Sequence, residues 1–442
     1  MKNRICRITA LILAVSVSAG MLTACGNNVN KSVDLSVYLS EISEENSSGA
    51  ISYTNYIGNH GDKFNTVSGK TQVFSETECI IGDTQVASFE IYEDGLYLLC
   101  AEIKGGKGTL ADYYGALKID GEYPFSECEQ IYFAKKWVNN NDFDIKKQPE
   151  LQEDTGYISF AKSEKSYTSK ELYFYLQKGV HQLEFTSENQ NLELLSLYFE
   201  GYKKTDLVTG SPKTTNGETV IVQAENPESR NKSSILEQID RTSAATMPVC
   251  LDRATYNTLG GNSWSKLGES VTWQLPVEKD GWYSVNLRVR QDYSVGAVSC
   301  RRVLIDGKEL KDNMPDINVE YSASWQRLTV SDENGKPIYI YLEKGNHTLT
   351  MECSLGSLAN VVPIVKNSVN ECNRIYRRII MITGTNPDIY RDYNLDEKLK
   401  DVFQDMAHQR ETLQDVADYL ASLSESGESD AAVFQKLIKL AY

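Results

Sequence analysis

The sequence predicts a mainly β chain: two tandem antiparallel β-sandwich modules of the jelly-roll kind, followed by an α-helical C-terminal segment. Three observations carry this. One ordered set of strand-like stretches occurs twice. Each copy is rich in aromatic and β-branched residues separated by Gly turns. Beyond residue 365 the apolar spacing changes from strand-like to helical.

The N-terminus stands apart from the fold. "MKNRICRITALILAVSVSAGMLTAC" has a basic head (Lys2, Arg4, Arg7), an apolar run from Ile8 to Val17 and small residues before Cys25, which is the pattern of a secretory signal over residues 1–24. Leu22, Thr23, Ala24 and Cys25, followed by Gly26, resemble the lipobox of bacterial lipoproteins. That resemblance implies a lipid on the Cys25 sulfur, with cleavage before it. Two acyl chains, each methylene worth about 0.8 kcal/mol on burial, suffice for stable anchoring. The expected location is the cell membrane, lipid-anchored and facing the extracellular side. Residues 25–47 then read as a polar tether containing a short helix.

Loss of residues 1–24 removes three basic residues and leaves 42 against 61 acidic ones, a formal charge of −19 compared with −16 for the whole chain of 442 residues. So acidic a chain is unsuited to nucleic acid or to gripping phosphate. Of nine cysteines, Cys6 leaves with the signal and Cys25 is taken by lipid. The remaining seven are odd in number and lack paired spacing, so neither a disulfide framework nor a zinc knuckle is expected, and Cys100, Cys300 and Cys353 read as small apolar residues of strands.

The repeat is clearest at its end. "YLQKGVHQLEF" (Tyr175 to Phe185) and "YLEKGNHTLTM" (Tyr341 to Met351) share six of eleven positions, among them His181 and His347. Upstream, "YEDGLYLLCAEI" pairs with "EKDGWYSVNLRV", "ALKIDGEYPF" with "RVLIDGKEL", and "IYFAKKW" with "INVEYSASW". Each Asp-Gly after or before an apolar run is a tight-turn signal between strands. Two modules follow, 48–202 and 218–365, each of an ordinary single-core size, with 203–217 as a polar linker. Both histidines start the strand that leaves a Lys-Gly turn, an architectural place in the sandwich. Past Val365, "ECNRIYRRIIMITG" suits a helix ended by Gly384, Leu395 to Leu423 keeps near-helical spacing, and "AAVFQKLIKLAY" reads as a further helix, giving a helical segment over 366–442.

"SWSKLGESVTWQLPVEKDGWYSVNLRVRQ", "RRVLIDG", "YLEKGNHTLTMECSLG" and above all "YRRIIMITGTNPDIYRDY" resemble a family of large clostridial lipoproteins that serve as extracellular solute-binding proteins of sugar-type ABC transporters. The resemblance covers nearly all of residues 30–442. It implies two jelly rolls similar to carbohydrate-binding modules, then a helical segment, then a periplasmic-binding-type domain. The present chain departs at the last of these: its pattern stops in the helical segment, with no βα alternation behind it.

No catalytic constellation emerges. The four histidines are far apart, and "GGKGT" at Gly105 to Thr109 lacks the order and the helical context of a phosphate loop. No pair of the many acids is singled out for glycoside hydrolysis. Carbohydrate binding is better motivated, because sugar rings stack their C–H faces on aromatic rings and direct their hydroxyls to amides and charges. Trp273 and Trp282 lie in strand-like runs and read as core. Trp264, in the loop "LGGNSWSKLG", and Trp325 with its counterpart Trp137 are the candidate platforms, with Asn262, Gln291, Tyr293 and Arg301 as polar neighbours. Adjacent strand residues face opposite sides, so of Arg301 and Arg302 one pairs inside the module and the other faces outward. No cofactor is expected beyond a structural calcium at Glu225, since "VIVQAEN" resembles the start of calcium-bearing jelly-roll carbohydrate-binding modules; Ca²⁺ wants six to eight oxygens, and with no matching Asp evident in "GSLANVVPIV" capping or solvation of Glu225 is the favoured reading.

The functional expectation is a non-catalytic lipoprotein that binds a glycan or oligosaccharide, or assists solute capture beside an ABC transporter permease or a separate solute-binding domain. The alternative is a structural or assembly subunit whose C-terminal helices dock a partner protein.

Overall fold

The structure, a computed structural model, describes residues 35–40, 49–61, 66–106, 109–166, 170–203, 207–210, 218–244, 246–249, 255–293, 298–310, 316–332, 334–388 and 390–422. The signal, Cys25 and the expected last helix from Ala431 lie outside these residues. The chain divides into two units: a helical one from Met1–Ser43, Ser294–Ala297 and Ser357–Tyr442, and a β one from Glu44–Tyr293 and Val298–Gly356.

In the β unit, the first repeat supplies β1 Lys70–Cys79, β2 Thr84–Ile91, β3 Gly95–Gly105, β4 Tyr113–Ile119, β5 Ile131–Phe133, β6 Trp137–Asn139, β7 Leu151–Glu153, β8 Thr155–Lys162, β9 Tyr173–Leu176, β10 Gly179–Ser187 and β11 Leu192–Gly201. All but β6 and β7 join in the antiparallel order β1-β11-β3-β8-β5-β4-β10-β2, with β9 on β3. The ladder folds over on itself, since Phe89 of β2 and Phe199 of β11, near its two ends, meet at 5.1 Å. Period-two alternation directs Leu99, Ala101 and Ile103 of β3, Leu117 of β4, and Leu183 and Phe185 of β10 into the core between the layers. A short helix that the sequence reading did not anticipate, Tyr53–His60, is capped by the Ser52 hydroxyl and adds Tyr56 to the same core.

The second repeat supplies β12 Thr209–Gly210, β13 Ser229–Arg230, β14 Glu237–Gln238, β15 Thr258–Leu259, β16 Ser270–Val277, β17 Gly281–Tyr283, β18 Asn286–Val289, β19 Ser299–Ile305, β20 Lys308–Glu309, β21 Ile317–Val319, β22 Gln326–Thr329, β23 Tyr339–Leu342 and β24 Gly345–Ser354. One sheet runs β20-β19-β24-β16-β13-β6-β7, with β21 on β19; the remaining strands form the ladders β12-β23-β17, β18-β22 and β14-β15. Two features depart from the sequence reading. Thr209–Gly210, linker by composition, pairs with β23, because the neighbouring Leu207 is drawn onto the second core. The hairpin β6–β7 of the first module is hydrogen-bonded into the sheet of the second, Trp137 opposite Arg230.

Charges are buried along this seam. Lys162 lies 3.4 Å from Glu171 and 3.1 Å from Glu352, and Arg302 reaches the same two carboxylates at 3.6 and 3.7 Å. Burial pushes the Glu171 carboxyl up, but Lys162 and Arg302 outweigh it and bring it down to about 2. Nearby, fully buried Lys135 pairs with Glu153 at 2.9 Å, the Tyr113 and Tyr157 hydroxyls donate to the other Glu153 oxygen at 2.8 Å, and Asp112 accepts from the Lys135 backbone and from Lys232 of the second module. Each cation has its anion within the seam, which is the condition for burying either.

The repeated histidines occupy one repeated clamp. Asp120 and Asp306 adopt left-handed backbone conformations (φ 54° and 50°) ahead of Gly121 and Gly307, as a type I′ hairpin turn requires. Their carboxylates each take a histidine Nδ1 at 2.7 Å and the next backbone N–H at 2.8 Å. The histidine Nε2 meets the Gln177 or Glu343 carbonyl at 2.8 or 2.9 Å. Imidazole thus ties two successive turns together. Partial burial opposes its charge, but the Asp hydrogen bond, the carbonyl and the Asp charge outweigh this and raise both histidines above their ordinary value.

In the helical unit, Val361–Thr383 and Lys400–Ser422 are the long helices, preceded by Ser36–Ser40 and joined by the short Leu395–Lys398. The first long helix begins inside the apolar run "VVPIV", which the sequence reading assigned to the second sandwich, and ends at Gly384, whose N–H bonds the Ile380 carbonyl. Leu35 packs with Val361, Ile364, Val365, Val416 and Leu420, and the Tyr38 hydroxyl donates to Asp415 at 2.6 Å. The unit therefore closes residues from both ends of the chain around one core. Six described cysteines are free; all but Cys372 are buried.

Glu352→Ala leaves Lys162 and Arg302 short of a counter-charge and is expected to cost about 3–5 kcal/mol in denaturant unfolding. Because the folded Glu171 value lies below its unfolded one, its contribution is full above about pH 4.5 and is lost as pH falls toward 2. His347→Gln is expected to cost about 1 kcal/mol. Its raised folded value makes that difference full below about pH 6.5 and fading as pH rises through the folded value; stability measured from pH 5 to 9 checks both sign and size.

Candidate functional site

In β18, "NLRV", alternation packs Leu287 on the core, half-buries Val289 and leaves Asn286 and Arg288 exposed. Its partner β22, "QRLT", sets Arg327 directly opposite Arg288 and Thr329 opposite Asn286. Like charges opposed across a ladder repel, and each guanidinium is drawn to a polar neighbour. Arg327 donates to Asn286 Oδ1 at 3.1 Å, a carbonyl that also accepts from Thr329. Arg288 donates to the Ser243 hydroxyl at 3.2 Å.

Arg290, one strand repeat on, completes the group with Trp325. The Arg290 and Arg288 guanidinium carbons lie 5.0 and 5.9 Å from the centre of the half-buried Trp325 ring, within cation–π range. Asp240 organises them. Buried to 5 % exposure, it accepts from Trp325 Nε1 at 2.9 Å, Arg290 at 3.1 Å, Thr242 Oγ1 at 2.6 Å and Thr246 Oγ1 at 3.0 Å. Asn257 holds its backbone on both sides, accepting from the Asp240 N–H and donating to its carbonyl. Burial raises the Asp240 carboxyl, but the donors Thr242, Trp325 and Thr246 outweigh it and hold it below the ordinary range. The result is a fixed carboxylate, a pinned indole and several guanidinium donors on one outward sheet face, a set suited to stacking on a polar ring and hydrogen-bonding its edge.

The residues expected from sequence divide. Trp325 is in this cluster, and Gln291 supports it: its carbonyl accepts the Ser322 N–H, at the head of the turn that carries Trp325, and its side chain accepts the Tyr293 N–H. Tyr293 is 62 % exposed and its hydroxyl sits against Gly261, beside exposed Asn262. Three candidates are corrected. Trp264 is 9 % exposed and belongs to the core: it packs against Trp273, and its indole N–H donates to the Glu269 carbonyl. Arg302 is the inward member of the pair, buried in the seam, while Arg301 is half-exposed but held by its own module, lying over the Trp264 ring at 4.8 Å and donating to the Trp264 carbonyl. Trp137 is buried on β6, where the two modules share a sheet.

Glu225 is buried rather than solvated, and burial raises its carboxyl. Among the described residues, no three His, Cys, Asp or Glu side chains come together as metal ligands.

Asp240, Arg288, Arg290 and Arg327 were not anticipated. The alternation "RVR" at 288–290 does signal two arginines on one strand face, whereas Asp240 reaches Trp325 across 85 residues of sequence and has no local signal.

Residues 360–441 match the family model described as the bacterial solute-binding protein, 4-helix bundle domain. No curated protein matches the chain. Among solved structures, it is similar to the cycloalternan-forming enzyme from Listeria monocytogenes in complex with pentasaccharide substrate (10 % identity, TM-score 0.21), over 65 % of this chain and 20 % of that one. It is similar to PNGF-II in its C2 crystal form (12 % identity, TM-score 0.18) over 65 % of this chain and 61 % of that one. The chain thus spans less than two thirds of either, and at these TM-scores neither likeness bears on fold or function.

Asp240→Ala is expected to cost about 2 kcal/mol, by stranding the buried Thr246 hydroxyl and the Trp325 indole N–H, and to free the Trp325 ring. Near-ultraviolet circular dichroism, compared with that of Trp325→Phe, reads the second effect. Because the Asp240 carboxyl is lowered on folding, its contribution is lost as pH falls below the ordinary carboxylate range.

Proposed function

We propose that this chain is a non-catalytic lipoprotein, held to the extracellular side of the cell membrane through Cys25, that captures carbohydrate for a sugar-type ABC transporter. The match of residues 360–441 to a solute-binding protein domain carries the reading. It is the feature that connects the chain to solute capture, and a substrate-binding role beside a transporter is what that domain suggests. The face formed by Trp325, Arg288, Arg290 and Asp240 is the proposed contact surface, because its indole and fixed donors have the chemistry a sugar ring selects. Its exposure on the second module leaves the first module, whose Trp137 is enclosed in the seam, as support. The lipid anchor rests on the basic head, apolar run and lipobox-like residues 22–26.

Affinity electrophoresis of the full chain through gels containing neutral and acidic polysaccharides tests the binding claim. Retardation by at least one polymer, reduced at least tenfold in apparent affinity by Trp325→Ala, is the expected result. Free migration in every gel overturns it. Metabolic labelling with a fatty acid, lost in Cys25→Ser, checks the anchor.

A further inference from the structure

The face around Trp325 carries positive charge beyond what the fold neutralises. Arg288, whose guanidinium carbon is 5.9 Å from the Trp325 ring centre, stands directly opposite Arg327 in the β18–β22 ladder, and Arg327 follows Trp325 by two residues. The indole and Arg327 therefore share one outward face. Arg290 on this face is met by two carboxylates, Asp240 at 3.1 Å and Asp292 at 3.3 Å. Arg327 is met by none: it is exposed, it donates to the neutral Asn286 carbonyl, and it forms no ion pair with any described carboxylate.

The first repeat shows that the architecture does not require these arginines. Where "GLYLLCAEI" aligns with "GWYSVNLRV", Glu102 holds the place of Arg288, and Asn139, two residues after Trp137, holds that of Arg327. Glu102 and Asn139 sum to a charge of −1, Arg288 and Arg327 to +2. Like charges placed opposite each other destabilise a ladder, so folding alone gives no reason for the exchange. The acidity of the whole chain, −16, does not oppose an anion here, because exposed charges more than about 8 Å away are largely screened at physiological ionic strength.

We propose that this face selects acidic saccharides: a uronic acid ring stacks on the Trp325 indole and places its carboxylate on Arg327. The inference rests on the carbohydrate-binding reading above and adds to it the charge of the ligand. Of the five guanidinium N–H groups, one goes to Asn286, which sets the orientation of the fork and leaves its other donors to a ligand. A guanidinium fork matches a carboxylate with two parallel hydrogen bonds, each about twice as strong as a neutral one. The indole supplies the apolar half of the contact, since the C–H face of a uronic acid ring is that of any pyranose and only its C6 group is charged. Asp240, which pins the indole through Nε1 at 2.9 Å, is buried and answers Arg290, so it leaves the Arg327 charge to the ligand.

The test titrates the full chain calorimetrically with uronic acid oligosaccharides of galacto, gluco and manno configuration, each beside its carboxyl-reduced form, which keeps every ring and linkage and removes the charge. A sulfated dextran oligosaccharide separates charge alone. At least one uronate is expected to bind at least tenfold more tightly than its reduced form. Arg327→Gln is expected to lower that preference at least fivefold, and Arg327→Lys, which keeps the charge but not the fork, to restore part of it, with near-ultraviolet circular dichroism checking that both variants fold. Reduced forms that bind as tightly as the uronates overturn the inference and leave the carbohydrate reading standing. A preference that persists in Arg327→Gln overturns the assignment to Arg327. Sulfated dextran bound as tightly as the best uronate, with neither affected by Trp325→Ala, means adsorption of polyanions and overturns it as well. Binding of no uronate also overturns it, and retardation by a neutral polysaccharide in the gels then leaves the carbohydrate reading intact.

Discussion

The two modules of the β unit meet at four mutually neutralising charges, Arg302 and Glu352 buried and Lys162 and Glu171 half-buried. Lys162 and Glu171 come from the first repeat, Arg302 and Glu352 from the second, and every cation touches both anions. Each module contributes one cation and one anion that pair with each other, Lys162–Glu171 and Arg302–Glu352, and the cross contacts Lys162–Glu352 and Arg302–Glu171 join the two pairs across the seam. The hairpin β6–β7 adds a covalently continuous bridge of main-chain hydrogen bonds in the same place. What is formally a tandem repeat behaves as one body, and this fixes which face of the second module is exposed.

From that constraint follows the asymmetry between equivalent residues. Trp137 and Trp325 close corresponding stretches of the repeat, yet one is enclosed where the sheets join and the other is held outward by Asp240. Likewise, among the described strands, β3 pairs with β11 as well as β8 and β9, while β17 and β18 pair with β23 and β22. Duplication supplied two similar modules, and packing assigned them different tasks: the first carries the fold of the unit and the second presents a polar and aromatic face.

The sandwich modules, their order and the architectural role of His181 and His347 were legible because they rest on local chemistry: alternation, Asp-Gly turns and a repeated Lys-Gly-x-His clamp. The helix ended by Gly384 was legible for the same reason, through its apolar spacing and terminal glycine. The start of that helix was not, since "VVPIV" is β-branched and only its packing on Leu35 and Leu420 makes it helical. Nor was the seam, since a lysine, an arginine and two glutamates spread over 190 residues have no shared local pattern. The site was half legible. Trp325 stood out as a rare aromatic, but exposure of Trp264 was inferred from its Gly-rich loop, and that loop instead folds the indole back onto Trp273. Asp240 became visible only when the strands were assembled.

Cooperative unfolding of the two β modules is expected from the charges that they share. Native-state hydrogen exchange in rising denaturant tests it most directly, by comparing the slowest amides of β10 with those of β24. One shared opening free energy, falling equally at both strands on Glu352→Ala, is the predicted result. Protection of β10 that persists while β24 opens, unchanged by the substitution, would contradict it.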